Sequence, residues 1–160
     1  MSASSLIAGM LRNSAQDMKR AYDKMPEDRK AWHPTVDGNT GRDAKDQVIE
    51  CALINGWVAG VLNVGGIPDF AFSEDTNAKY EAGKKALGAS GGEVDTLISS
   101  TETLASAVEG LSDETLDTIV KHPFYDKNSS VAEIILLCHW NTVYHIGQLN
   151  YIQVLYGDNS

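Results

Sequence analysis

From Val131 to Ile152 the chain returns to an apolar or weakly polar residue every three or four positions: Val131, Ile134, Cys138, Asn141, His145, Leu149 and Ile152. That spacing places all seven on one face of a single long helix. A face so marked points into a core, and a core needs further helices of similar length to close it. Two members of the stripe, Asn141 and His145, are polar and one turn apart. Polar groups on a buried face are costly unless a partner satisfies them. The same stripe therefore constrains both the fold and the place to look for chemistry.

Three other segments carry the same period. The spacing predicts a first helix from Ser4 to Met25, with Ile7, Met10, Leu11, Ser14, Met18, Tyr22 and Met25 in line and Pro26 as its stop. A second helix should begin near Thr40 to Arg42, capped by Thr40, and reach Asn63. Val48, Ala52, Asn55, Ala59 and Leu62 form one of its stripes; Glu50, Ile54, Trp57 and Val61 form a neighbouring one. Glu50 is thus a carboxylate on a partly apolar face. A third long helix fits Glu93 to Glu109, with Val94, Leu97, Ile98, Thr101, Leu104, Ala105 and Val108 in phase. The fourth runs from Ser130 to Tyr156, opened by a Ser130/Glu133 capping box and ended by Gly157-Asp158.

Between these segments the pattern is weaker. Asp37-Gly38-Asn39 and His122 to Asn128 read as loops, Asp75 to Leu87 as a short helix, and Ser112 to Val120 as one or two helical turns. Phe70 and Phe72 should anchor a loop on the core, and Gly88 to Gly92 should break the chain. The expected fold is all-α: one four-helix bundle domain over residues 1–160, with long connections at 26–42 and 64–92 that allow crossovers.

The formal net charge is −9. Nucleic-acid binding, which needs a basic stripe, is not expected, nor is attachment to anionic membranes. No apolar run reaches the ~20 residues of a membrane span, and the first residues lack a basic, apolar signal pattern. A cytoplasmic protein is expected, with Cys51 and Cys138 as free thiols. No phosphate-loop glycines, Cys-x-x-Cys pair or nucleophile elbow is present.

Bundle interiors hold metals on side chains from facing helices. Here the candidates are Glu50, Asn141 and His145, a carboxylate, an amide oxygen and an imidazole that would suit zinc, nickel, iron or manganese. The alternative is that His145 and Asn141 merely satisfy one another's neighbours in a polar core. Gln148 is placed to orient His145. Tyr144 and Tyr151 lie near the same region, either as proton donors or as packed aromatics. Cys138 reads as a small buried hydrophobe sooner than a nucleophile or soft ligand. His139 falls at the rim, Trp57 and Trp140 read as core or interface aromatics, and His33 and His122 as surface or pocket-mouth residues before prolines.

His145-Ile146-Gly147-Gln148-Leu149, followed by an aromatic-rich helix ending at Tyr156-Gly157-Asp158, resembles the last helix of the DinB-like (YfiT-type) four-helix bundle family. Trp32-His33-Pro34 in the first loop, Trp57 on the second helix and Val131 to Ile135 opening the fourth fit the same layout. The resemblance implies a metal-dependent enzyme, either a hydrolase or a transferase or isomerase using a low-molecular-weight thiol. It also implies a small-molecule substrate and a homodimer. The family's site has three histidines. His145 matches one of them, Asn141 stands at the position four residues earlier, and Glu50 falls closest to the third, on the second helix. With Tyr144 and Gln148 in support, His145, Glu50 and Asn141 form the implied metal set. The competing expectation is a metal-free bundle with a vestigial site, serving as a small-molecule binder or a stress-related dimeric interaction protein.

Overall fold

The computed structural model describes residues 2–158. Four long helices, α1 (Ala3–Asp23), α2 (Ala44–Asn63), α4 (Glu93–Glu109) and α6 (Val131–Leu155), make the bundle; α3 (Glu74–Ser90) and a short α5 (Asp113–Asp117) fill the connections. Around the bundle α4 lies between α1 and α2, and α6 closes the ring by touching both of them. Consecutive helices α1 and α2 therefore sit diagonally, which the long connection between them permits. The all-α four-helix reading is met.

Every α-helix but α4, whose N-cap is Gly92, starts where a side chain can accept from its free N–H groups. Ser2 caps α1, Ser73 caps α3, and Ser130 and Glu133 form the expected capping box on α6. Two expected boundaries move. Asp43, not Thr40, caps α2, accepting from Asp46 N–H. Thr40 is instead paired with Thr35 in a two-residue hairpin, β1 (Thr35–Val36) and β2 (Asn39–Thr40), turned through Asp37-Gly38. The short helix expected at Asp75 to Leu87 is longer, and its break falls at Gly91-Gly92, both at positive φ. The turns expected at Ser112 to Val120 stop at Asp117; β3 (Ile119–Lys121) follows and pairs with β4 (Asn128–Ser130).

The predicted stripes run inward, with Met10, Val94, Ile98 and Asn141 only partly buried. The core forms two clusters: Ile7 and Leu11 of α1 with Ala59 of α2, Leu104 of α4 and Val131 and Ile134 of α6, and Met18 and Tyr22 of α1 with Val48 and Ala52 of α2, Leu97 of α4 and Leu149 of α6. At one end Tyr22 Oη donates to Glu93 Oε1 at 2.5 Å, tying the end of α1 to the start of α4. Phe70 is fully buried, and Trp57 packs edge-on against it and against Phe72. His122, expected at the surface, is buried: its Nδ1 accepts from the N–H groups of Phe124 and Tyr125 and so shapes the β3–β4 loop. Trp140 is not in the core; it is 61% exposed and stacks on Tyr144. No helix among the described residues is long and apolar enough to cross a membrane.

Candidate functional site

His145 is buried at the contact of α6 with α2, because the α6 stripe carries it inward between Cys138 and Leu149. Its Nδ1 lies 3.0 Å from Gln47 Oε1 and 2.7 Å from Gln148 Oε1. Gln47 is held in that orientation by its own Nε2, which donates to the Arg42 carbonyl. Two amide oxygens facing Nδ1 fix a proton there. The other nitrogen, Nε2, then faces Glu50 Oε1 at 3.2 Å. The Asn141 amide nitrogen reaches the same oxygen, also at 3.2 Å. A nitrogen lone pair and a carboxylate oxygen at this distance need positive charge between them: a second proton on the ring, or a cation.

Glu50's second oxygen is taken by Arg42 Nη1 at 2.5 Å, and Arg42 Nε also binds Asp46. Burial pushes the Glu50 carboxyl up, but the His145 hydrogen bond and the Arg42 charge outweigh it and hold the group at about 2. Because that value is depressed from 4.5, its stabilisation is complete above pH 4.5 and is lost as pH falls toward 2. After discounting for solvent screening it is worth roughly 1–2 kcal/mol. Urea unfolding of the metal-free protein should therefore lose stability across this window, and Glu50→Gln should flatten that part of the profile. Parallel profiles in the two proteins would mean that Glu50 is not held by these partners.

Two cavities meet at this network. The larger, about 900 Å³, runs between the β1–β2 segment and α6, with Arg42, Gln47, His145 and Gln148 as its polar wall and Tyr144 and Tyr151 at its apolar side. The smaller, about 150 Å³, reaches Glu50 and Asn141 from the other side and is walled by Phe124, Leu137 and Trp140. The structure thus brings Glu50, Asn141, His145 and Gln148 together. Tyr144 is half-exposed, its ring edge-on to His145 at 5.4 Å between centroids. Tyr151 is further out on the same side. Arg42 and Gln47 are the site residues that sequence spacing missed. His33 pairs with Asp43 and meets the carbonyl of Gly41, a residue of the cavity wall, and neither His33 nor His139 makes the contacts of this network. Cys138 and Cys51 are buried free thiols, and Cys51 touches the site through a 3.7 Å contact from Asn141.

Among the described residues no three His, Cys, Asp or Glu side chains converge on one point. The donor set for a divalent ion would be His145 Nε2, Glu50 Oε1 and, with its amide turned, Asn141 Oδ1. Their 3.2 Å spacings match the ~3.0–3.4 Å between neighbouring donors around an ion at ~2.1 Å. Nδ1 is already held by outer amide oxygens, as ligating histidines usually are. These residues fit one divalent ion with three protein donors and open positions.

The order and packing of the helices define the class, a four-helix bundle, with a polar network buried between α2 and α6. The particular likeness is to YfiT from Bacillus subtilis, described as a probable metal-dependent hydrolase with an unusual four-helix bundle topology; the superposition has a TM-score of 0.72 and covers 98% of this chain and 90% of that one. Identity is 18%, so the likeness is one of fold. No family model and no curated protein sequence matches the chain.

Proposed function

We propose that this protein is a metal-dependent enzyme, of hydrolase type, acting on a small molecule in the large cavity, with Glu50, Asn141 and His145 holding one divalent ion. One observation carries the reading. His145 Nδ1 is held by two amide oxygens, so that Nε2 meets Glu50 Oε1 with the Asn141 amide beside it. The fold shared with YfiT, itself described as a probable metal-dependent hydrolase, supports the reaction class. Bound there, a divalent ion supplies Lewis acidity, polarising a substrate oxygen and acidifying water.

The chain's own residues do the positioning. Gln47 and Gln148 lock the His145 ring. Arg42 occupies Glu50 Oε2, which leaves Oε1 to face His145 and Asn141. Tyr144 and Tyr151 give the cavity an apolar side with hydroxyl tips, suited to a substrate that is part apolar and part polar. The small cavity walled by Phe124 and Trp140 has room for a ring-sized apolar group next to Glu50.

A second reading is favoured by Arg42. Its guanidinium already supplies a counter-charge to Glu50, so a metal-free pocket that binds a small molecule is electrostatically self-sufficient. Elemental analysis separates the two. Tag-free protein is equilibrated with zinc, nickel or manganese and then dialysed, with His145→Ala and Gln148→Leu alongside. The metal-dependent reading expects near-stoichiometric metal in the wild type and none in His145→Ala. Gln148→Leu should bind ten- to a hundredfold more weakly. A wild type that retains none of the three ions overturns that reading and leaves the metal-free pocket.

A further inference from the structure

The β3–β4 loop is organised around one side chain. His122 is buried, and its Nδ1 accepts from the N–H groups of Phe124 and Tyr125, each at 3.1 Å. Pro123 has no N–H to offer, so these are the first two donors after His122. The His122 N–H donates to the Lys127 carbonyl at 2.9 Å and closes the loop from its other end. The ring also packs on both residues it holds, with centroids 6.1 Å from the Phe124 ring and 4.8 Å from the Tyr125 ring.

Those two residues are the adjustable walls of the small cavity beside Glu50. Its other apolar walls, Ile54, Leu137 and Trp140, stand on α2 and α6, whereas Phe124 and Tyr125 stand on the loop. Phe124 is 50% and Tyr125 65% exposed, so packing alone does not fix them. Phe124 lies 5.5 Å from the Phe72 ring and 6.3 Å from the Trp57 ring. Phe72 and Trp57 line a neighbouring cavity of about 310 Å³, and Ile54 belongs to both cavities. Phe124 thus stands where the two adjoin, and its position sets the size of the smaller one.

We propose that His122 is a specificity-determining residue of the small cavity: by holding Phe124 and Tyr125 it keeps a slot for an uncharged aromatic ring beside Glu50. The lining selects that class. Phe124, Tyr125 and Trp140 wall the slot, and aromatic side chains accept a further ring edge-on or offset. Its volume, about 150 Å³, is that of a cavity that takes a benzene ring. Among the described residues of the lining the charged one is Glu50. Its carboxylate repels an anionic group, and Arg42 already meets its charge, which leaves little to attract a cationic one. The inference rests on the small cavity being part of the substrate site, but ring binding there needs no metal.

The same geometry makes the slot sensitive to pH. An imidazole that accepts at Nδ1 carries its one proton on Nε2. A second proton, at Nδ1, sets a donor against two N–H donors and removes both hydrogen bonds. Burial and the Lys127 charge hold the ring below the usual 6.5, against an upward pull from Glu133. Lys127 and Tyr125 face the ring from its own loop and Glu133 faces it from α6. The slot is therefore intact at neutral pH and is lost as pH falls below 6.5 through the lowered value.

Phenol binding to the full chain with no metal added, followed by two-dimensional proton–nitrogen NMR, tests the assignment. Phenol should shift the Phe124 and Tyr125 amide resonances saturably at neutral pH, and severalfold more weakly at mildly acid pH. His122→Leu, which offers no acceptor, should bind about tenfold more weakly with an unchanged helical circular-dichroism spectrum. His122→Asn, whose Oδ1 accepts from the same two N–H groups, should stay within about twofold of wild type and lose the pH dependence. If His122→Leu loses helix, the pH comparison of wild type with His122→Asn decides. Amides left unshifted by phenol overturn the proposal. So does a folded His122→Leu that binds as tightly as wild type, or a pH dependence that persists in His122→Asn and so belongs to another histidine. A chain that binds phenol here but retains no ion keeps this inference and loses only the metal-dependent reading; one that retains an ion but gives no phenol response does the reverse.

Discussion

Leu104→Ala should lower the unfolding free energy by about 3–4 kcal/mol. Leu104 is fully buried on α4, in one cluster with Ile7 and Leu11 of α1, Val58 of α2 and Ile134 of α6. Removing its terminal carbons loses their transfer free energy and opens a void that four converging helices cannot collapse without losing contacts elsewhere. At this chain length the shift in Tm should be on the order of 10 °C. The internal control is Val64→Ala, just beyond α2, where the side chain is 85% exposed and the cost should stay within about 0.5 kcal/mol. The check is a pair of urea or thermal transitions followed by circular dichroism. Equal, small losses in both variants would show that α4 is not packed against α1 and α2.

The two thiols should be inert in the native protein. Burial pushes Cys51 up to about 12, against a Thr142 hydrogen bond that pulls it down, and burial alone pushes Cys138 to about 12. The thiolate is the reactive form. At pH 8 a thiol held there is ionised to about one part in ten thousand, against roughly a quarter for a free cysteine. With steric occlusion added, a disulfide reagent should label the native chain at least ~10³-fold more slowly than the urea-unfolded chain, which should release two equivalents promptly. A native thiol that reacts at the unfolded rate would contradict the burial of α6 against α2. The same argument removes Cys138 as a nucleophile and agrees with its reading as a small hydrophobe.

Much of the fold was legible because its helices carry their own start and period. The Glu93–Glu109 helix has the ends that its stripe predicts, and Ser130 with Glu133 places the start of α6 by local hydrogen bonding alone. α3 was underestimated for a reason visible in the structure: none of its residues is fully buried, so no strong apolar stripe marks its extent. Thr40 was a reasonable cap by residue type, but pairing with Thr35 left the capping role to Asp43. His122, expected at the surface or a pocket mouth, is buried, and Trp140, expected in the core or at an interface, lies outside the core. A backbone turn gave His122 two N–H donors to satisfy it inside, while the rotation of α6 turned Trp140 outward.

The site was legible as a set of residue types and not as a network. Glu50, Asn141, His145 and Gln148 stand out because each is polar on or beside an apolar stripe. Gln47 and Arg42 gave no such signal, since an isolated glutamine or an arginine near a helix start reads as ordinary surface.

The sequence by itself determined what is local: four long helices, the Ser130/Glu133 cap of the last, the inward faces, and the presence of polar side chains on two of those faces. These follow from spacing and short-range hydrogen bonding, which involve residues a few positions apart. The tertiary structure alone decided which faces meet. Glu50 reaches His145 across 95 positions and Gln47 reaches it across 98. Such pairings depend on the diagonal placement of α1 and α2 and on the rotation of α6, both set by packing the whole core at once. The same rotation that buries His145 turns Trp140 and Tyr144 of α6 to the outside.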